Sequence, residues 1–196
     1  MIAIIIGMIL LSQYIAASDE RSAFPELKVY VSELHDQALI CTVYSLGQTG
    51  GYLEANQGIA SIEESNNAAS LYMPQLIKPD WSIFESKGYM IKPFTITSLV
   101  EAGEKDVYAK ISNQFTASKN EKTIEFKDFI SKVGVRYAYL QDIAEIQNND
   151  EAINLNELFS LDIDKNIYLL SNSTVFVFTD RISSLDNKPF EMVFWK

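Results

Sequence analysis

Along the first seventeen residues, MIAIIIGMILLSQYIAA, hydrophobic and polar positions do not alternate: fifteen are apolar or glycine and none is charged. A helix with no polar face lies in lipid or among other helices. The charged patch SDERS (18–22) closes this run, and Pro25 suits a helix start or a kink. From there the period becomes helical. Leu27, Val31, Leu34, Ala38 and Cys41 recur every three to four residues, with Leu39, Val43 and Leu46 widening the stripe. The pattern predicts an amphipathic helix over 25–46, ended by Gly47, Gly50 and Gly51. If Pro25 only kinks the chain, residues 1–46 form one nearly continuous helical stalk.

Residues 52–90 lack a clear period. The Asn-rich stretch ANQGIASIEESNNAAS predicts a loop or short hairpin, and PDWSIFESKG a short helix from Asp80 to Gly88. After 91 the period falls to two. FTITSLV, DVYAKISNQF and KTIEFKDF predict three antiparallel strands joined by EAGEKD and ASKNEK. Helical spacing returns through Tyr137, Leu140, Ile143, Ala144 and Ile146. NIYLLSN, TVFVFTDR and KPFEMVFW close the chain as three more strands. The fold class expected is α+β: a long hydrophobic and amphipathic N-terminal helix, then an antiparallel sheet head with one or two packed helices.

Charge narrows the partners. The net charge of −10, with sixteen scattered Lys and Arg, lacks the basic footprint of a nucleic-acid binder. Anionic lipid would repel it, so membrane attachment would come from the apolar start. That start, at about 25 Å as a helix, is slightly short of a hydrocarbon core of roughly 30 Å, and Ser12 and Gln13 interrupt it. No basic residue precedes Ile2, as a secretory signal would require. A plain anchor, an uncleaved signal and a helix-packing segment remain open; a form processed just before the apolar run accounts for the missing basic leader.

Candidate chemistry is sparse. His35, the single histidine, stands beside Asp36 and is expected to be a half-exposed helix residue; Cys41, the single cysteine, is expected to be a small buried hydrophobe. One His and one Cys do not make a converging ligand set or a nucleophile with its base. Asp162, Asp164 and Asn166 have the spacing that opens a calcium loop but lack its Gly and bidentate Glu, which favours a solvated turn. GQTGG lacks the Lys-Ser/Thr of a phosphate loop, so its glycines are expected to serve positive φ at a helix end. Glu63 and Glu64 are read as polar loop residues. No catalytic, cofactor or metal residue is expected. Asn172, in NST, is a glycosylation candidate in a turn, and Trp195 is expected to seal a sheet edge or meet a partner.

Three stretches together carry a resemblance: IAIIIGMILL, then ELKVYVSELHDQALICTVYSLGQTGGYLE, then STVFVFTDRISSLDNKPFEMVFW. The chain resembles a family of pilin-like, membrane-anchored surface proteins of small-genome archaea. Its start is similar to the segment of type IV pilins and archaeal flagellins that is exposed when a basic leader is removed. Tyr30, Val31, Ala38, Leu46, Gly47, Gly50, Gly51 and Tyr52 match the helix-end pattern, and Asp180, Ser183, Lys188, Pro189, Phe190 and Phe194 the closing hairpin. Thr49 stands where the family has Gln, with Gln48 one place earlier, and Glu33 near an expected cysteine. The resemblance covers both ends well and the middle weakly.

It implies a location at the cell surface and an architecture, not a reaction. With no nucleophile, base or metal-ligand set in the sequence, the function expected is a non-enzymatic structural subunit of an extracellular filament. Residues 1–24 would be the anchor and filament core, 25–51 the stalk helix, and 52–196 the outer head. The partners would be other copies or other pilin-like subunits, and the membrane before assembly. Assembly would bury Ile2, Ile4, Ile5, Ile6, Gly7, Met8, Ile9, Leu10 and Leu11, each large side chain contributing roughly 1.5–3 kcal/mol against water and less against lipid. A monomeric anchored adhesion module and an exported carboxylate-only hydrolase are the alternatives.

Overall fold

The computed structural model describes residues 24–54, 58–92, 95–149, 151 and 153–196. The expected anchor and assembly residues, Ile2 to Leu11, lie outside the described residues, as does Phe94. The described chain is α+β, with three three-stranded antiparallel sheets.

Helix α1 (Pro25–Gly47) is the axis of the molecule. Pro25 occupies the first helical position, where its missing N–H costs nothing. Phe24 before it is left-handed, with φ of 59°, so α1 itself begins at Pro25; the part of the nearly continuous stalk expected over residues 1–23 lies outside the described residues. The inward stripe also differs from the expected one. Leu27, Val31, His35, Ala38, Leu39, Thr42, Val43 and Leu46 are buried, whereas Leu34 is half-buried and Cys41 exposed.

Helix α2 (Ile62–Leu76) replaces the loop or hairpin expected for the Asn-rich stretch. Ser61 and Glu64 form a capping box, the Glu64 carboxylate accepting from the Ser61 backbone N–H and the Ser61 hydroxyl accepting from Glu64 N–H. Glu64 is thus a helix cap rather than a loop residue. The buried face of α2 is only three residues, of which Met73 alone is a large apolar side chain beside Ser65 and Ala69, which hid its period. The short helix α3 (Ser82–Glu85) is where it was expected, with Asp80 accepting from Ser82 N–H and hydroxyl.

Strands β1 (Met90–Lys92), β2 (Ile96–Ala102), β3 (Val107–Asn113), β4 (Phe115–Lys119), β5 (Lys122–Phe126) and β6 (Phe129–Val133) build two sheets, ordered β1-β4-β5 and β2-β3-β6. The β2–β3 hairpin was expected; β1, β4 and β6 were not. ASKNEK is no long turn: FTASK is β4, and only Asn120 and Glu121, both with positive φ, turn the chain. Gln114 alone separates β3 from β4 while the inward row continues unbroken through Val107, Ala109, Ile111, Asn113, Phe115 and Ala117. One extended segment therefore passes from one sheet to the other.

Helix α4 (Tyr137–Asn148) and the short α5 (Leu155–Ser160) precede the third sheet, β7 (Ile163–Leu169), β8 (Thr174–Leu185) and β9 (Lys188–Trp195). These strands were expected, although β7 starts earlier and β8 runs longer. The β8–β9 turn again uses two positive-φ residues, Asp186 and Asn187.

Among the described residues two hydrophobic cores result. The larger joins the C-terminal half of α1 with α2, α4, the β2-β3-β6 sheet and the inward face of β8 and β9. The smaller gathers Phe24, Leu27 and Val31 of α1 with Phe84, Tyr89, Phe115, Ala117 and Phe126. Phe129 packs against both. The C-terminal sheet and the small β1-β4-β5 sheet thus meet opposite ends of α1.

Candidate functional site

No described helix is long and apolar enough to cross a membrane, and no three described His, Cys, Asp or Glu side chains are grouped to hold a metal. What the structure brings together is the two residue sets that carried the resemblance. The end of α1 lies directly on β9. A Cβ at Gly47 would stand 2.5 Å from Glu191 O and 2.7 Å from the Phe190 ring. Gly50, at φ of 65°, would meet Gly58 O at 2.8 Å and Phe194 Cβ at 3.1 Å. The expectation that these glycines serve a helix end holds at Gly50 and Gly51, whose φ is positive. Gly47 has a different reason, the close approach of the hairpin.

A buried polar cluster holds the turn. Gln141 Nε2 donates to Ser65 Oγ at 2.8 Å and to Ala60 O, and Ser65 Oγ donates to Gly51 O at 3.2 Å. This ties the end of α1 to the starts of α2 and α4. Neither Ser65 nor Gln141 was singled out in the sequence, where Gln141 reads as an ordinary helix residue.

The closing hairpin contains a second cluster around Asp180. Alternation places Phe176, Phe178 and Asp180 on one buried face, so a carboxylate stands in an apolar row. That interruption was the legible signal that a cation must meet it. Arg136, just before α4, supplies it: Nε donates to Asp180 Oδ2 at 2.8 Å and Nη2 to Oδ1 at 2.5 Å. Ser183 Oγ donates to Oδ2 at 2.6 Å, Ile182 N–H donates to Oδ1 at 2.9 Å, and Arg136 N–H donates to Ser183 Oγ at 3.0 Å. Burial raises the Asp180 pKa, but the Arg136 and Ser183 bonds outweigh it and hold the carboxyl below its ordinary value. Three extra residues between Asp180 and Ser184, opposite the Pro189–Phe190 step, let β8 bend around this cluster. Every oxygen of Asp180 is engaged, and Ser183 has a carboxylate partner but no imidazole. The arrangement locks the start of α4 to the hairpin.

Two single residues are corrected. His35 is fully buried, not half-exposed. Its Nε2 lies 2.9 Å from Asn113 Nδ2, and its ring meets Phe129 edge-on at 4.7 Å. His35 sits between Val31 of the small core and Ala38 of the large one, and Asn113 between Ile111 and Phe115 in the same way. The pair is a polar seam between the two cores. Burial pushes the imidazole down to about 4, with Asp36 opposing. Cys41 is exposed, not buried, because α1 turns that face outward.

Asp162 and Asp164 are not part of any group of three described His, Cys, Asp or Glu side chains that could hold a metal. Asp162 is left-handed at the entry to β7, and Asp164 pairs with Arg181. Asn172 is exposed in the β7–β8 turn, as expected. Trp195 O accepts from Gly58 N–H at 2.7 Å, so Gly58 meets the last residue of β9. No protein-family model, curated protein or solved structure matches the chain.

Proposed function

We propose that the chain is a structural subunit of a pilin-like surface filament, held in the membrane before assembly by its apolar start. The observation that carries this reading is the uncharged run from Met1 to Ala17, followed within a few residues by α1. Helix α1 buries one face in the head along its whole length, which suits a shaft that transmits load from the start of the chain to the head.

In this reading Ile2, Ile4, Ile5, Ile6, Met8, Ile9, Leu10 and Leu11 pack against their counterparts in other copies, and Gly7 allows close helix approach. The Gly7→Leu variant tests it. Filaments should be lost while the head keeps its melting temperature; intact filaments in that variant would count against the reading.

A further inference from the structure

Three links join the β1-β4-β5 sheet to the β2-β3-β6 sheet. Gln114 joins β3 to β4, Lys127 and Asp128 join β5 to β6, and a third link runs between Lys92 and Ile96. The registers set all three at one level. On one side of it Ile111 pairs with Phe129 and Ile96 with Asn113; on the other Phe115 pairs with Phe126 and Lys92 with Thr116. No described strand pairing crosses that level, so it is a hinge line between two separately hydrogen-bonded units.

The His35–Asn113 seam lies on this line, since Asn113 ends β3 and Phe129 begins β6. The seam is incompletely satisfied: the buried His35 Nδ1 and Asn113 Oδ1 have no described hydrogen-bond partner. Each forfeits its hydration while the seam is closed, a penalty that opening to water removes. The unit beyond the hinge has little to oppose opening. Its strands are three, five and five residues long, and its core on α1 is the smaller of the two. At its far end Glu26 accepts from the Tyr89 hydroxyl at 2.8 Å and from Lys87 at 2.7 Å, an exposed latch that holds weakly.

We propose that the β1-β4-β5 sheet is a lid on the first half of α1, which opens about this line when His35 takes up a proton, while the large core stays closed. An imidazolium has two N–H donors. Asn113 can accept from one of them and Phe129 offers a hydrocarbon ring, so the other donor and the charge are met by water only once the lid lifts. Asp36, next to His35 on α1, is the charge that draws a proton to the ring. The strands packed on His35 present Asn113 and Phe129, which do not titrate. Asp128, beside Phe129, is exposed and accepts from the Ser112 hydroxyl at 2.8 Å. The buried face of α2, Ser65, Ala69 and Met73, has no ionisable group. The Lys87 and Tyr89 bonds hold the Glu26 carboxyl below its ordinary value, so the latch stays charged while His35 titrates. Opening uncovers Phe24, Leu27 and Val31, the face of α1 nearest in sequence to the apolar start. The lid does not depend on the filament reading.

Hydrogen–deuterium exchange with mass spectrometry tests it on the full chain in non-ionic detergent, at pH 7 and pH 5, with rates corrected for intrinsic exchange. At both pH values peptides from β4 and β5 should exchange at least about tenfold faster than those from β8 and β9, because the lid opens without global unfolding. The β4 and β5 rates should also rise about tenfold from pH 7 to pH 5, and lose that rise in His35→Gln. His35→Phe, which keeps a ring against Phe129, gives the same readout should the glutamine variant not fold. Equal rates in β4–β5 and β8–β9 would mean that the two units open only together, and overturn the lid. A rise that is absent, or that survives in the His35 variants, overturns His35 as its trigger and the proposal with it.

Discussion

Acidification should destabilise the protein through His35, well above the pH at which carboxylates titrate. In the folded protein the imidazole is buried between two cores with one described polar partner, Asn113, and its pKa falls from 6.5 to about 4. The unfolded chain takes up a proton near 6.5; the folded chain refuses it until about 4. The unfolded state therefore binds more protons in this window, and stability falls as the pH falls. With one pKa unit worth 1.36 kcal/mol, the loss is about 2 kcal/mol between pH 7.5 and 5 and about 3 kcal/mol by pH 4. Above pH 6.5 this contribution is complete. The assay is urea unfolding of the full chain in non-ionic detergent at stepped pH, beside His35→Gln. Glutamine can still bond Asn113 but does not titrate, so the variant should lose most of the slope between pH 7.5 and 5. The carboxyls held below their ordinary values, Asp180 among them, add their losses at lower pH. Equal slopes in the two proteins would refute the claim that the seam keeps His35 neutral.

Three further substitutions probe the packing. Gly47→Ala places a Cβ against Glu191 O and the Phe190 ring and should cost about 1–3 kcal/mol; an unchanged melting temperature would show that α1 and the hairpin are not in close contact. Arg136→Met leaves the buried Asp180 carboxylate without its cation and should cost about 3–5 kcal/mol in chemical denaturation, the loss shrinking as Asp180 is protonated at low pH. Phe178→Ala, at a fully buried site of the large core, should cost about 3–5 kcal/mol by the same measurement.

What was legible in the sequence follows the strength of local periodicity. Helix α1 and strands β2, β3, β7, β8 and β9 have long apolar rows, and the sequence pattern placed them. Helix α2 was hidden because its buried face is Ser65, Ala69 and Met73, although Ser61 and Glu64 at capping-box spacing were there to be read. Strands β1, β4 and β6, at three to five residues, are too short to establish a period, and FTASK resembles a turn in composition. The inward face of α1 was misplaced because apolar residues occur nearly all around it; Val29, Cys41 and Tyr44 are exposed although their types suit a core. His35 is buried for a tertiary reason, the passage of α1 from one core into the other, which no local pattern encodes. In the closing hairpin the interruption of an apolar row by Asp180 announced a buried ion pair, but the sequence did not identify Arg136 as its partner.

The most direct measurement is made on cells that produce the protein. They are sheared, the released material is pelleted, and the pellet is examined by electron microscopy and by mass spectrometry of N-terminal peptides. The account predicts filaments containing this chain, with the segment beginning at Met1 or Ile2 present in the mature subunit. Recovery of the chain only with membranes, and never in filaments, would contradict it.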